Sequence, residues 1–276
     1  MPEGHTIHRV ARDHTKAFVG DKLKASSPQG RFEDGAKQLH GRSLERIDAV
    51  GKHLLYQWSG TKRTPGPILH VHLGLYGKFR LHKLAATKTD PKPELPEPRG
   101  AVRLRLVGPR AAFDLNGPTR CELFDAEQRA ALLDRLGPDP LRKDADPDRA
   151  WDRIGRSRSG IGGLLMNQEV IAGVGNIYRC EVLHLAGIHP DRPGKDLDRR
   201  EFDWIWEKLV ELMQIGVKHN RIIIAEPDDV GKPRGRMTRD ERLRIYKKES
   251  CPGCGTAIAE WEIAGRKVFA CPTCQA

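Results

Sequence analysis

Ile171-Ala172-Gly173-Val174-Gly175-Asn176-Ile177-Tyr178 separates two helical patterns, residues 163–169 before it and 177–186 after it. Gly173 and Gly175 permit a tight turn and a close backbone approach, since neither carries a Cβ. Asn176 is well placed as the N-cap of the second helix. Freed amides at a helix N-terminus also suit a phosphate. The stretch therefore reads either as a plain helix–turn–helix capped by Asn176 or as a phosphate-binding turn. Two more helical patterns, 150–156 and 199–218, flank it, so this part of the chain reads as all-α.

Towards the N-terminus, Gly137-Pro138-Asp139-Pro140 marks a boundary. Before it the pattern changes to short strands, from Leu23 to about Phe124. Ala101-Val102-Arg103-Leu104-Arg105-Leu106-Val107 alternates apolar and charged residues, and Gly108-Pro109 then turns the chain. Residues 67–73 alternate in the same way. Residues 84–100 carry Pro91, Pro93, Pro96 and Pro98 and read as an exposed loop. Residues 1–20 read as an amphipathic helix, with Ile7, Val10, Ala11 and Phe18 on one face. This block predicts a β-sandwich with a leading helix.

Towards the C-terminus, residues 231–248 hold eight Lys/Arg against Asp240 and Glu241, a local net charge of +6. Such a run suits either a polyanion or a solvated, disordered linker. Beyond it stand Cys251-x2-Cys254 and Cys271-x2-Cys274, sixteen residues apart, the spacing of a four-cysteine zinc site. Each pair forms a knuckle presenting two thiolates to one tetrahedral ion. Residues 258–269 between the pairs read as a hairpin with Ala264-Gly265-Arg266 at its tip. So short a module cannot bury a core unaided, and metal would supply its folding energy. Two disulfides are the alternative. Four protein ligands close the coordination shell, so the ion would be structural. Arg266 is either a solvated turn residue or a planar fork for phosphate. Cys121 and Cys180 read as buried or half-buried free thiols.

The chain begins Met1-Pro2-Glu3-Gly4. Removal of Met1 would leave Pro2 with a secondary amine, much of it uncharged near neutral pH, since an α-amino group has a pKa of roughly 8. Such an amine attacking a sugar carbon forms an iminium, the electron sink of Schiff-base chemistry. Glu3 would be its proton donor. The same residues also make an ordinary helix start, Pro in the first turn followed by an acid.

The 276 residues are 38% hydrophobic and 31% charged, with a formal net charge of +11 and a pI near 9.5. This composition predicts a soluble globular protein with a polyanionic partner, nucleic acid first. No apolar run approaches the roughly 20 residues of a membrane span. With no apolar signal core at the N-terminus, a cytoplasmic or nucleoid-associated protein is expected, in which disulfides are disfavoured.

Pro2-Glu3-Gly4, Gly51-Lys52, His72-Leu73-Gly74, the stretch 172–178, Ala186-Gly187-Ile188-His189-Pro190 and the run from Gly265-Arg266 to Cys271-Pro272-x-Cys274-Gln275 occur in one order along the whole chain. In these motifs the chain resembles the formamidopyrimidine-DNA glycosylase/endonuclease VIII family. Its Pro2–Thr6 start looks most like the actinobacterial endonuclease VIII branch. The resemblance implies an α+β, multi-domain protein: an N-terminal helix and β-sandwich (1–125), a helix-two-turn-helix DNA-binding domain (126–228), a basic connector (229–248) and a zinc finger hairpin (249–276). It also implies a bifunctional DNA glycosylase and abasic-site lyase acting on oxidised bases in duplex DNA. Pro2 would attack C1′, Glu3 would protonate the ring oxygen, and β,δ-elimination would follow. Lys52 matches the family's essential lysine. Leu75 and Tyr76 stand where the family places its intercalating wedge, and Asn176 and Arg266 match its phosphate clamps. One structural zinc ion, no organic cofactor and a monomer are implied.

Three positions depart from the family pattern. Thr6 replaces a second glutamate and takes no catalytic role. The stretch 116–121 lacks the Arg-Arg-Phe loop of the purine-type branch, leaving Arg120 as the nearest guanidinium, which favours oxidised pyrimidines. Ile161-Gly162-Gly163 replaces a lysine-bearing turn, so one phosphate contact is lost or supplied by Arg156 or Arg158. The rival expectation is a non-catalytic lesion-recognition protein on the same scaffold. A zinc-ribbon RNA-binding or transcription module explains the charge and the cysteines but not Pro2-Glu3-Gly4 or Lys52.

Overall fold

The computed structural model describes residues 2–62, 64–84 and 94–275. They form two compact units: Pro2 with Ile7–Asp134, and Glu3–Thr6 with Arg135–Ala276. Most of the proline-rich loop, residues 85–93, and Met1 lie outside the described residues.

In the first unit α1 (Gly4–Phe18), which belongs to it from Ile7 onwards, precedes two four-stranded antiparallel sheets. One sheet runs β1 (Lys24–Ser26), β6 (Val102–Val107), β7 (Ala111–Asn116), β5 (Lys78–Lys83); the other runs β2 (Leu44–Val50), β3 (His53–Trp58), β4 (Ile68–His72), β8 (Arg120–Phe124). Period-2 burial sends Leu54, Tyr56 and Trp58 of β3, Leu69 and Val71 of β4, and Leu104 and Leu106 of β6 into one core. Ile7, Ala11, His14 and Phe18 of α1 join it at helical spacing. His14 is the polar exception. It stacks on Phe113 at 4.5 Å and bonds the Tyr56 hydroxyl at 2.9 Å. Cys121 is buried as expected, and burial pushes its thiol up to about 12. Two helices of this unit carry no clear periodic signal: α2 (Glu33–Leu39), only seven residues, and α3 (Ala126–Arg135), with Leu132 its one buried side chain.

The second unit is helical, with a terminal hairpin. Its helices are α4 (Pro147–Ile154), α5 (Ile161–Met166), α6 (Asn176–Ala186), α7 (Arg199–His219) and the single turn α8 (Pro227–Val230). Asp146 caps α4, and Asp198 caps α7 in a reciprocal box with Glu201. The expected helix at 163–169 begins two residues earlier and ends at Met166, where the turn towards Gly173 starts. Gly187, at φ +68°, closes α6, with Ile188 N–H bonded to the Leu183 carbonyl at 3.0 Å. Among the described residues no helix is long and apolar enough to cross a membrane.

The basic connector is a structured segment, not the disordered linker that its charge run allows. Its cations pair with acids: Lys232 with Glu241, Arg234 with Glu226, Arg244 with Asp229, and Lys248 with Asp240. Glu181, fully buried on α6, anchors its far end by accepting the backbone N–H groups of Arg244, Ile245 and Tyr246 at 3.0, 3.2 and 3.0 Å. β9 (Ala259–Ile263) and β10 (Arg266–Ala270) then form the predicted hairpin.

Candidate functional site

The start of α6 is capped from the other end of the sequence. Glu3, with no exposed surface, accepts Gly175 N–H at Oε2 (3.1 Å), Ile177 N–H at Oε1 (2.9 Å) and Tyr178 N–H at Oε2 (3.5 Å). A carboxylate there answers both the orphan amides and the positive end of the helix dipole. This corrects the sequence expectation in two respects. The N-cap is Gly175, in extended conformation, and Asn176 is the first helical residue. The amides that would serve a phosphate are already held by Glu3.

The glycines explain the pairing. A Cβ on Gly175 would lie 2.3 Å from the Glu3 Cδ, and one on Gly4 would lie 2.9 Å from the Gly173 Cα. Gly4 N–H in turn bonds the Gly173 carbonyl at 2.8 Å. Glu3-Gly4 and Gly173-Val174-Gly175 thus fit one another as surfaces.

From α6 the contacts pass to the hairpin. Asn176, also buried, donates from Nδ2 to the Lys267 carbonyl at 2.9 Å and accepts at Oδ1 from Arg179. Arg179 is wholly buried. It reaches the carbonyls of Gly162, Ile263, Arg266 and Lys267 at 3.3–3.4 Å. Burial lowers its basicity, yet a guanidinium keeps its charge in proteins. It therefore clasps the backbone on both sides of the hairpin turn. Ala264 and Gly265 make that turn with φ of +53° and +67°, the geometry of a two-residue hairpin loop. Arg266 is the first residue of β10, its side chain exposed. Glu3, Asn176 and the backbone of Arg266 are thus linked through α6.

The four cysteines of the knuckles converge, their sulfurs all within 4.8 Å of one another. Cys251 and Cys274 sulfurs stand 3.9 Å apart, and Cys254 and Cys271 sulfurs 3.5 Å. A tetrahedral ion with metal–sulfur bonds of about 2.3 Å sets its sulfurs about 3.8 Å apart. A disulfide would need about 2.05 Å. The cluster can hold one metal ion. Gln275 braces it, accepting Cys271 N–H and donating to the Ile188 carbonyl, both at 2.9 Å. Cys180 packs into the same small core with Val268 and Phe269, its thiol pushed up to about 11 by burial.

In the first unit the remaining predicted residues share one end of the β2-β3-β4-β8 sheet. Gly51, at φ +58°, and Lys52 turn β2 into β3. Leu75 and Tyr76 occupy the turn after β4 and are exposed, Tyr76 to 85%. They do not serve the core. Thr119 N–H bonds the His72 carbonyl at 2.9 Å, and Arg120, exposed, sits opposite His72 in the ladder. His72 is held below its usual pKa by burial, then by the charges of His70, Lys52 and Arg120. Pro2 belongs to this unit and is partly buried.

The sequence of residues 1–118 matches the formamidopyrimidine-DNA glycosylase N-terminal domain, and that of residues 136–228 the formamidopyrimidine-DNA glycosylase H2TH domain. The Mycobacterium tuberculosis protein Endonuclease 8 1 is 49% identical across 100% of both chains. The chain belongs to the formamidopyrimidine-DNA glycosylase/endonuclease VIII family. It is a DNA-repair glycosylase. The Lactococcus lactis formamidopyrimidine-DNA glycosylase is 29% identical over 100% of this chain and 99% of its own. Two solved structures of the Lactococcus lactis protein align over 99% of both chains at 27% identity: one with DNA containing an abasic site (TM-score 0.76), one with DNA containing an oxidised pyrimidine (TM-score 0.77).

Sequence reasoning missed Arg179, Glu181 and His70 as organising residues of this family member. Arg179 directly follows the 172–178 motif, but nothing local says that a helical arginine is buried. Its signal is the lack of any acid three or four positions away on its own helix face; the nearby Glu181, two positions on, points elsewhere and its carboxylate is bound by residues 244–246.

Proposed function

We propose that this chain is a bifunctional DNA glycosylase and abasic-site lyase that removes oxidised bases, pyrimidines favoured, from duplex DNA. The observation that carries the reading is the seating of Glu3 on the amides of α6. It fixes the residue next to Pro2 in one orientation, as a catalyst that must act at one sugar carbon requires.

With Met1 removed, the Pro2 nitrogen attacks C1′ of the damaged nucleotide. The C1′–N bond to the base breaks, and the base leaves with a proton. The nitrogen's own proton then passes by way of the Glu3 carboxylate to O4′ as the C1′–O4′ bond opens, leaving an iminium between Pro2 and C1′, while the proton on the departing base comes from water. Loss of a C2′ proton expels the 3′-phosphate, and a second elimination expels the 5′-phosphate. Lys52 neutralises phosphate charge and assists proton transfer at the sheet end.

An everted base leaves a gap in the stack, which an exposed Leu75-Tyr76 turn suits. Arg266 and Arg120 serve the backbone phosphates, while Asn176, buried and bonded to the Lys267 carbonyl and to Arg179, positions the hairpin that carries Arg266. The four thiolates fit one structural zinc ion, which ties the knuckles together and, with its shell closed, leaves the chemistry to protein side chains. The Lactococcus lactis relative bound to DNA with an oxidised pyrimidine supports the substrate class.

The test is incubation with a duplex carrying an abasic site in the presence of borohydride. A covalent adduct on the N-terminal peptide is expected, and Pro2→Gly should weaken it sharply while sparing binding. Tight binding without an adduct, with Met1 shown absent by mass spectrometry, would leave a lesion-recognition protein.

A further inference from the structure

The knuckle sulfurs of Cys251, Cys254 and Cys271 each have a hydrogen-bond partner besides the other sulfurs. Two of these partners come from the module itself. Cys274 N–H bonds the Cys271 sulfur at 3.4 Å. The Thr256 hydroxyl lies 3.2 Å from the Cys254 sulfur and 2.9 Å from the Thr273 hydroxyl. Beside a thiolate, which only accepts, Thr256 is the donor. The third partner comes from α6. His184 Nε2 lies 3.4 Å from the sulfur of Cys251, 67 positions later. Cys251 is buried, and a buried thiolate needs its donors from the protein.

The surroundings of His184 decide where its proton sits. The residue stands in the last turn of α6, and its Nδ1 is buried with no hydrogen-bond partner among the described residues. In the neutral ring one nitrogen donates and the other accepts. A proton on Nδ1 would be a buried donor with no acceptor, and the Nε2 lone pair would then face a thiolate. A proton on Nε2 meets the thiolate and leaves only a lone pair unmatched. The second arrangement is the better one at both nitrogens.

The same end of α6 also holds the second knuckle. Gln275 accepts Cys271 N–H and donates to the carbonyl of Ile188, two residues beyond α6. One side chain thus reaches from the second knuckle to the end of α6, and His184 reaches from α6 to the first. Asn176 and Arg179, in the first turn of α6, hold the backbone at the hairpin turn. The helix therefore bonds the module at its turn and at both knuckles.

Building on the structural-zinc reading, we propose that His184 is a positioning residue of the metal site. Its Nε2–H holds the Cys251 thiolate in place and draws charge from it. Four thiolates outweigh the charge of one divalent ion, and a donor at a sulfur offsets part of the excess without taking a coordination place. The bond also resists opening of the first knuckle, because Cys251 leaves the ion only by parting from α6 as well.

The test compares full-length wild type with His184→Phe, which keeps a ring and removes the donor, and with His184→Gln, which keeps an N–H at the ε position. Each protein is loaded with zinc, and transfer of the ion to a chromophoric chelator is timed. His184→Phe should lose zinc at least about tenfold faster, the scale of losing an outer partner of a metal ligand, and His184→Gln should stay within about threefold of wild type. In the cobalt-loaded proteins the sulfur-to-cobalt charge-transfer band should move to longer wavelength in His184→Phe alone, because a sulfur without its donor gives up charge more readily. Equal release rates and superimposable bands in wild type and His184→Phe would overturn the proposal. So would equal changes in His184→Phe and His184→Gln, which would mark ring packing alone. Nitrogen chemical shifts of the zinc-loaded wild type give a readout that no variant's folding can spoil. They should show the His184 proton on Nε2; a proton on Nδ1 would also overturn the proposal. If the wild type takes up neither zinc nor cobalt, the structural-metal reading itself fails; uptake with unchanged release in His184→Phe fails the role of His184 alone.

Discussion

Glu3 and Gly175 stand 172 residues apart in sequence and share a hydrogen bond of 3.1 Å, carboxylate to backbone amide. The bond places the proposed acid at the positive end of a helix of its own unit. Glu3→Gln retains an acceptor but loses the charge. It should cost about 1–2 kcal/mol in denaturant unfolding, the worth of a charge-assisted bond at a helix terminus. Base release should fall about a hundredfold or more, the scale of a lost proton donor. Gly175→Ala should also destabilise, by about 1–3 kcal/mol, because its Cβ would meet the Glu3 carboxyl carbon at 2.3 Å.

Arg179 and Arg266 should separate stability from binding. Arg179→Met strips the carbonyls of Gly162, Ile263, Arg266 and Lys267 of a buried charged donor. A loss of about 3 kcal/mol is expected, with faster hydrogen exchange in β9–β10. Arg266→Ala, at an exposed site, should leave stability within about 0.5 kcal/mol. It should weaken DNA binding and lower the salt slope by about one. An unchanged salt slope would exclude a phosphate contact.

Cys271→Ser removes one of four converging thiolates. On the structural-zinc proposal, the hairpin would then lose the ion that closes its knuckles, and with it the folded partner of Asn176. Expected are zinc content below one per chain by elemental analysis, loss of hairpin protection, and loss of lesion processing. Full activity in a zinc-free protein would sink the structural-metal reading.

Acid sensitivity should originate partly in His14. Burial pushes its imidazole down to about 3, whereas the unfolded chain titrates near 6.5. Between those values the unfolded state binds the extra proton, so stability falls as pH falls, by at most about 1.4 kcal/mol per unit. Burial holds His5 down to about 4, which adds the same sign over a narrower window. His14→Gln should flatten the decline in unfolding free energy measured from pH 6.5 to 4. An identical decline in the variant would exclude His14 as the source.

Much of the architecture is legible locally. Alternation at 101–107 gives β6, the pattern at 199–218 gives α7, and the cysteine spacing gives a four-sulfur cluster. The exposure of Leu75-Tyr76 needs the structure, because a strand-end Leu and Tyr serve a core equally well on paper. Asn176 shows the limit of local rules: its residue type marks a cap, yet its side chain serves Lys267 and Arg179 while a distant carboxylate does the capping.

The sequence by itself determined the helix, strand and turn signals, the metal knuckles and the family motifs. Each depends on residues a few positions apart, where periodicity, turn geometry and ligand spacing act. Only the tertiary structure decided which carboxylate meets which amide or imidazole. Glu3 with α6, Glu181 with residues 244–246, and Glu122 with His70 and His53 join residues 172, 63 and 52 or more positions apart. A buried charge takes whichever partners the folded chain brings within about 3 Å, and that choice has no local signature.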